Sequence, residues 1–186
     1  MLRTLPRTQD QRTVLRLAQV AFFTALTILA ARVTIDIGLV PFTLQPLAVL
    51  LSGMVLGSRD GFLSQLAYVA LIAVGLPLDA RGLGTAALFG PTGGYLIGFA
   101  VAAGVVGLLV EHAGKRIWQR WLAGIVGVAV IYLFGVIVLK ANLGLDWDAA
   151  WTAGAAPFIA PDMVKALIAA ALTESGRRLL LRGKNA

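Results

Sequence analysis

The sequence predicts an all-α integral membrane protein with six transmembrane helices. Three observations carry that expectation: an excess of apolar residues, their collection into long runs, and the uneven placement of basic residues between the runs. Of 186 residues, 59% are hydrophobic and 13% charged, against roughly 45–50% and 25% in soluble domains. A soluble chain of this composition would have too little polar surface to face water. No polar linker or low-complexity stretch divides it, so residues 1–186 read as a single membrane domain.

A helix needs about 20 apolar residues, or as few as about 17, to cross a bilayer core. The first run, near 15–35, follows a basic tail over about 1–14. A basic start before an apolar run has the form of a signal peptide, but in a chain with further spans it reads as a retained first helix. The second and third runs, 43–57 and 61–76, are short and carry Ser, Gly or Gln, which leaves their ends soft. The fourth, 92–110, opens in GPTGGY; the fifth covers 119–140, and the sixth, 157–175, precedes a basic tail over 176–186. Three loops join them on one side, at 36–42, 77–91 and 141–156, and those after helices 1 and 3 are expected to matter most.

Basic residues set orientation, because Lys and Arg concentrate on the cytoplasmic side. With both termini cytoplasmic, the inside segments hold Arg3, Arg7, Arg12, Arg16, Arg59, Lys115, Arg116, Arg120, Arg177, Arg178, Arg182 and Lys184. They hold only Asp10, Asp60, Glu111 and Glu174 among the acids, so the formal charge of +7 is a topological signal in a cell-membrane protein. It does not point to nucleic acid.

The first outer loop runs into VPFTLQP, stiffened by Pro41 and Pro46 and presenting Phe42, Thr43 and Gln45. The second, GLPLDARGLGTAALFGPTGGY, is long, rich in glycine and apolar enough to pack as a lid. The third carries Asp146, Trp147, Asp148 and Trp151, which suit an interfacial aromatic belt. The sixth run holds Asp162 and Lys165, three residues apart and therefore on one helical face. Charges in a membrane segment are costly and normally face a protein interior or a cavity, so this pair is the leading functional candidate. Its alternative is a purely structural ion pair.

Several chemistries find no support. A Walker A loop needs G-x-x-x-x-G-K followed by Ser or Thr, which is absent, so any ATP-driven step must come from another polypeptide. The lone histidine, His112, lies beside Glu111 in an expected cytoplasmic turn, away from Asp162 and Lys165, and no metal-ligand spacing occurs. Ser52 and Ser64 have no histidine base and read as helix-packing residues. Catalytic residues and cofactors are therefore expected to be none.

VPFTLQP at 40–46, GLP at 75–77, GPTGGYLIGF from 90 and PDMVK at 161–165 stand in the order seen in the biotin-specific S components of energy-coupling-factor (ECF) transporters. The chain resembles the BioY family over essentially its whole length. That resemblance implies an S-component-like six-helix fold and high-affinity capture of biotin. It also implies partnership with a membrane coupling subunit and two ABC ATPases, site membership for Asp162 and Lys165, and Phe42 and Gln45 as loop residues that cover the ligand; Tyr95, with an apolar ring and a polar tip, suits a pocket wall, and Arg81 is expected to add a polar contact from the second loop. Biotin's urea offers two N–H donors and a carbonyl, and its chain ends in a carboxylate; Asp162 accepts donors and Lys165 serves a carbonyl or carboxylate. Tyr95 has an interfacial anchor as its alternative, and Phe42 and Gln45 have plain turn packing. Asp79 departs from the aromatic or apolar residue expected of the family and has pairing with Arg81 as its alternative. Ala21 and Ala25 form a small-x-x-x-small pattern similar to the alanine motif that faces the coupling subunit, with packing inside the chain as the alternative. The competing functional class is a self-sufficient, gradient-driven transporter or channel for another solute, in which Asp162 would couple protons.

Overall fold

The computed structural model describes residues 9–113 and 116–182. The expected end tails are therefore covered only in part, and Arg3, Arg7, Lys115, Lys184 and the side chain of Arg182 lie outside the described residues.

Helix α1 spans Gln9–Arg32, starting earlier than the apolar run because its first turns are polar but helix-compatible, with Asp10 at the positive end of the dipole and Arg32 at the negative end. A two-residue antiparallel hairpin follows, β1 (Thr34–Ile35) paired with β2 (Phe42–Thr43), with Thr34 opposite Thr43. It turns the first expected loop into an ordered strap, and Phe42 and Thr43 are fixed on its return strand.

The second and third expected runs fall in α2, Gln45–Ala73, which consists of two helical arms joined at Gly57 without an intervening loop. Among the described residues, five helices are long and apolar enough to cross a membrane, rather than the six expected. Yet α2 is not straight. Gly57 adopts φ 84° and ψ −177°, outside the helical region, and residues on its two sides meet. Gln65 Nε2 donates to Ser52 Oγ at 3.1 Å, and Gln45 Nε2 donates to Tyr68 Oη at 2.8 Å. Twenty-three residues of straight helix would separate Gln45 from Tyr68 by about 35 Å. The two arms of α2 thus run side by side in opposite directions. Glu111 holds the turn: its Oε1 accepts the Ser58 backbone N–H at 2.7 Å. A Cβ on Gly57 would lie 2.2 Å from that same oxygen. Gly57→Ala is therefore expected to destabilise the protein by about 1–3 kcal/mol, from backbone strain alone, read as a lowered Tm in detergent.

Helix α1 packs on this hairpin through a buried polar chain. Thr24 Oγ1 donates to the Ser64 carbonyl at 2.8 Å, and Thr27 Oγ1 reaches Gln65 Oε1 at 3.1 Å. The two serines set aside as helix-packing residues have that role, since each hydroxyl also donates to a carbonyl three residues back. His112 is likewise local, with Nδ1 2.8 Å from the Leu108 carbonyl.

Two expected loops contain helices. Within 77–91 lies α3 (Thr85–Phe89), and within 141–156 lies α6 (Trp147–Gly154). Asp146 caps α6 by accepting the Ala149 N–H at 2.7 Å. These helices bury small residues, Ala87 on α3 and Ala150 on α6, while Phe89, Trp147 and Trp151 remain exposed. Helices α4 (Gly93–Ala113) and α5 (Ile117–Leu143) complete the bundle with α7 (Ile159–Arg182), which a 3-10 turn at Ala156–Phe158 introduces.

Helices α5 and α7 run antiparallel along a close seam. A Cβ on Gly124 would lie 2.9 Å from the Cβ of Ala166, and each end of the seam carries a polar lock. At one end the buried Arg120 pairs with Glu174, which Arg177 and Arg178 also hold; at the other, Tyr132 bonds Asp162.

Candidate functional site

At the end of the bundle that carries the strap, α3 and α6, a cavity of about 640 Å³ of atom-free space, counting its mouth, opens between α2, α4, α5 and α7. Gln45, Arg81, Tyr95, Asp162 and Lys165, five of the six residues expected in the binding site, line it. The sixth, Phe42, stands just behind, with Lys165 Nζ 3.9 Å from the centre of its ring. Residues up to 120 positions apart in sequence are brought to one place by the strap and the antiparallel pairing of α5 and α7.

The charged centre lies on α7. Lys165 Nζ donates to Asp162 Oδ1 at 2.6 Å and to the Thr43 carbonyl at 2.7 Å, which ties α7 to the strap. Asp162 Oδ2 accepts from Tyr132 Oη at 2.7 Å. Both charges are almost fully buried, at 3% and 5% exposure. A buried pair needs such additional bonds, because desolvation otherwise outweighs the attraction. The site is not saturated by its protein partners. An ammonium has three N–H donors and a carboxylate about four acceptor sites, and two of each are engaged by described residues.

The remaining residues are placed by their own bonds. Gln45 is 3% exposed and bridges Tyr68 to Thr43, whose hydroxyl lies 3.2 Å from Gln45 Oε1. Tyr68 in turn donates to the Leu78 carbonyl at 3.2 Å, so one chain of bonds links the strap, α2 and the second loop. Tyr95 is no interfacial anchor: it is 7% exposed and its hydroxyl donates to the Gly154 carbonyl at 2.8 Å. Its ring fits a slot made by glycines, since a Cβ on Gly135 would lie 2.2 Å from Tyr95 Cε1 and one on Gly154 would lie 2.5 Å from the hydroxyl oxygen.

Asp79 and Arg81 do not form the side-chain pair considered as an alternative. Asp79 is buried and accepts two backbone N–H groups, from Arg81 at 3.0 Å and Gly84 at 2.8 Å, which shapes the second loop. Its acidity therefore has a local structural use, which explains why a carboxylate stands where an apolar residue was expected. The Arg81 guanidinium instead crosses to the strap and bonds Asp36 Oδ1 at 2.9 Å and the carbonyls of Gly38 and Leu39. It thereby fastens the strap over the cavity.

Sequence reasoning did not select Tyr132, although it shares Asp162 with Lys165. The available signal was a phenol inside the apolar run IVGVAVIYLFG, since a buried tyrosine hydroxyl needs a partner. Thr92, Phe99, Ile131 and Phe158 also line the cavity and carried no such signal. Ala21 and Ala25, on α1, are not among the residues lining the cavity, and both are exposed. Packing within the chain therefore does not account for their spacing.

A similar architecture and similar sequences occur in known proteins. The model of the BioY family matches residues 6–182. The chain is 44% identical to a probable biotin transporter BioY of Pyrococcus horikoshii over 83% of this chain and 91% of that one. It is 43% identical to the biotin transporter BioY of Thermotoga maritima, with the same shares covered. Its fold superposes on the crystal structure of the S-component for biotin from an ECF-type ABC transporter with a TM-score of 0.84 and 26% identity, covering 93% of this chain and 95% of that one. By its sequence over nearly its full length, this chain belongs to the BioY family.

Proposed function

We propose that this chain is the biotin-capturing S component of an ECF-type transporter in the cell membrane. The observation that carries the reading is the buried Asp162–Lys165 pair with spare hydrogen-bonding capacity at the wall of a cavity. Its relatives are named as biotin transporters, and its structural neighbour is an S-component for biotin. The family and these relatives are transporters and not enzymes.

Charge decides how biotin lies. Asp162 accepts the urea N–H groups and repels a carboxylate, so the bicyclic head sits against α7 with Lys165 serving the urea carbonyl. The valerate carboxylate then extends toward Arg81, a residue of the cavity lining whose guanidinium is held at the strap by Asp36 and the Gly38 and Leu39 carbonyls. Gln45, Tyr95 and Phe42 complete the wall. Arg81→Ala is expected to weaken biotin binding by about tenfold to a hundredfold, as befits one charge-assisted bond at a partly exposed site. Retention of tritiated biotin on the purified chain measures it, and unchanged retention would move the carboxylate elsewhere.

In this reading the two arms of α2 are separate crossing segments, which gives six with both termini cytoplasmic by the placement of Lys and Arg. ATP-driven uptake then requires a coupling subunit and two ABC ATPases. The exposed Ala21 and Ala25 on α1 form the flat stripe where the coupling subunit docks. Ala25→Trp is expected to abolish co-purification with the coupling subunit and leave biotin retention unchanged. Intact co-purification would refute that assignment alone.

A further inference from the structure

A second hollow lies on the outside of the bundle, between α5, α6 and α7, with about 1230 Å³ of atom-free space counting its open side. Its lining is apolar and includes Ala129, Tyr132, Val136, Trp147, Trp151 and Met163. Leu133 and Ile137, at 58% and 46% exposure, stand on its rim and face outward. Helix α5, and the stretch from α6 through α7, are long and apolar enough to cross a membrane, so in a bilayer acyl chains are the molecules that reach this face.

The groove ends in a polar boundary. Lys140 Nζ lies 5.1 Å from the centre of the Trp147 ring, near the carboxy-terminal end of α5. A cation beside an indole at the end of an apolar groove matches the order of a phospholipid, phosphate above and hydrocarbon below. Asp148, exposed one residue beyond Trp147, adds a carboxylate that complements a headgroup amine. Asp146 is engaged as the α6 cap.

We propose that this groove is a phospholipid site, with one acyl chain laid along α5 and the phosphate at Lys140, and that phosphatidylethanolamine suits it. The site is not idle with respect to the central cavity. Tyr132 lines both hollows and gives its hydroxyl to Asp162. An acyl chain against the outer face of its ring fills the space into which that ring could otherwise withdraw, and so keeps the hydroxyl on the carboxylate.

Native mass spectrometry of the purified chain, detergent-exchanged in the presence of phosphatidylethanolamine, tests the proposal without reference to biotin. Retained lipid is expected to fall about tenfold, or roughly 1.4 kcal/mol, in Ala129→Trp, which fills the groove from an exposed position. Lys140→Glu should also lower it, whereas Leu108→Trp, at a lipid-facing position on α4, should not. In the unaltered chain, dibrominated acyl chains should quench Trp147 and Trp151 more than Trp118 and Trp121. Equal lipid retention in Ala129→Trp and Leu108→Trp would overturn the proposal. So would loss of the coupling subunit, with lipid retained, in Ala129→Trp, which would make the groove a protein interface.

Discussion

Lys165→Ala is expected to abolish measurable biotin binding. The substitution removes an ammonium that holds Asp162 Oδ1 at 2.6 Å and the Thr43 carbonyl at 2.7 Å. Loss of one charge-assisted bond to a ligand costs about 1.5–3 kcal/mol, or roughly 10- to 150-fold. The carboxylate left unpaired adds about 3–5 kcal/mol of destabilisation, and the strap loses its anchor on α7. A single variant thus mixes a binding effect with a folding effect. The double variant Asp162→Leu, Lys165→Met separates them, because a buried pair replaced by apolar residues of similar size is often neutral for stability. Its Tm is expected to recover toward that of the unaltered chain while biotin binding stays absent. Recovered binding together with recovered stability would make the pair a scaffold and place ligand recognition elsewhere.

Gly135→Val is expected to have the second largest effect. Even the first added carbon would lie 2.2 to 2.5 Å from three atoms of the Tyr95 ring. The ring has no room to retreat, since its hydroxyl is fixed on the Gly154 carbonyl and a Cβ there would also collide with it. Overpacking of this kind costs about 1–3 kcal/mol, and here it displaces a cavity wall. The expected outcome is a lowered Tm together with a loss of biotin affinity of about tenfold or more, tracked by labelled-biotin retention. A lowered Tm with unchanged affinity would remove Tyr95 from the site.

These two predictions rest on residues of very different legibility. Asp162 and Lys165 stand out in any reading of the chain, because charge is rare and costly in an apolar run. Gly135 does not, since a glycine in a membrane helix has many uses and only the position of the Tyr95 ring reveals this one. Spans could be read from hydropathy, which is why helices 1, 4, 5 and the last one were expected near their observed positions. The two arms of α2 were also expected as separate runs, 43–57 and 61–76, but not that a single glycine makes the turn, because its conformation is stabilised by Glu111, a residue 54 positions away. Helices α3 and α6 were hidden in loops because five and eight residues are too short to display a helical period.

Among the site residues, the same distinction holds. Arg81 could be chosen as a cation near the second loop, but its grip on Asp36, Gly38 and Leu39 depends on how the strap folds. Asp79 could be flagged as unusual for its place, while its role as acceptor for two backbone N–H groups required the loop's path. Tyr132 needed the antiparallel register of α5 and α7, which no local pattern encodes. Long-range partners were thus the illegible part, and single costly residues the legible one.

The central claim is that the chain itself binds biotin through the α7 charges. Isothermal titration calorimetry of the purified chain with biotin tests it most directly. The expected result is one-to-one submicromolar binding that disappears in the stably folded Asp162→Leu, Lys165→Met variant. Absence of binding heat over a range of temperatures in the unaltered, folded chain would contradict the claim, as would unchanged binding in the double variant.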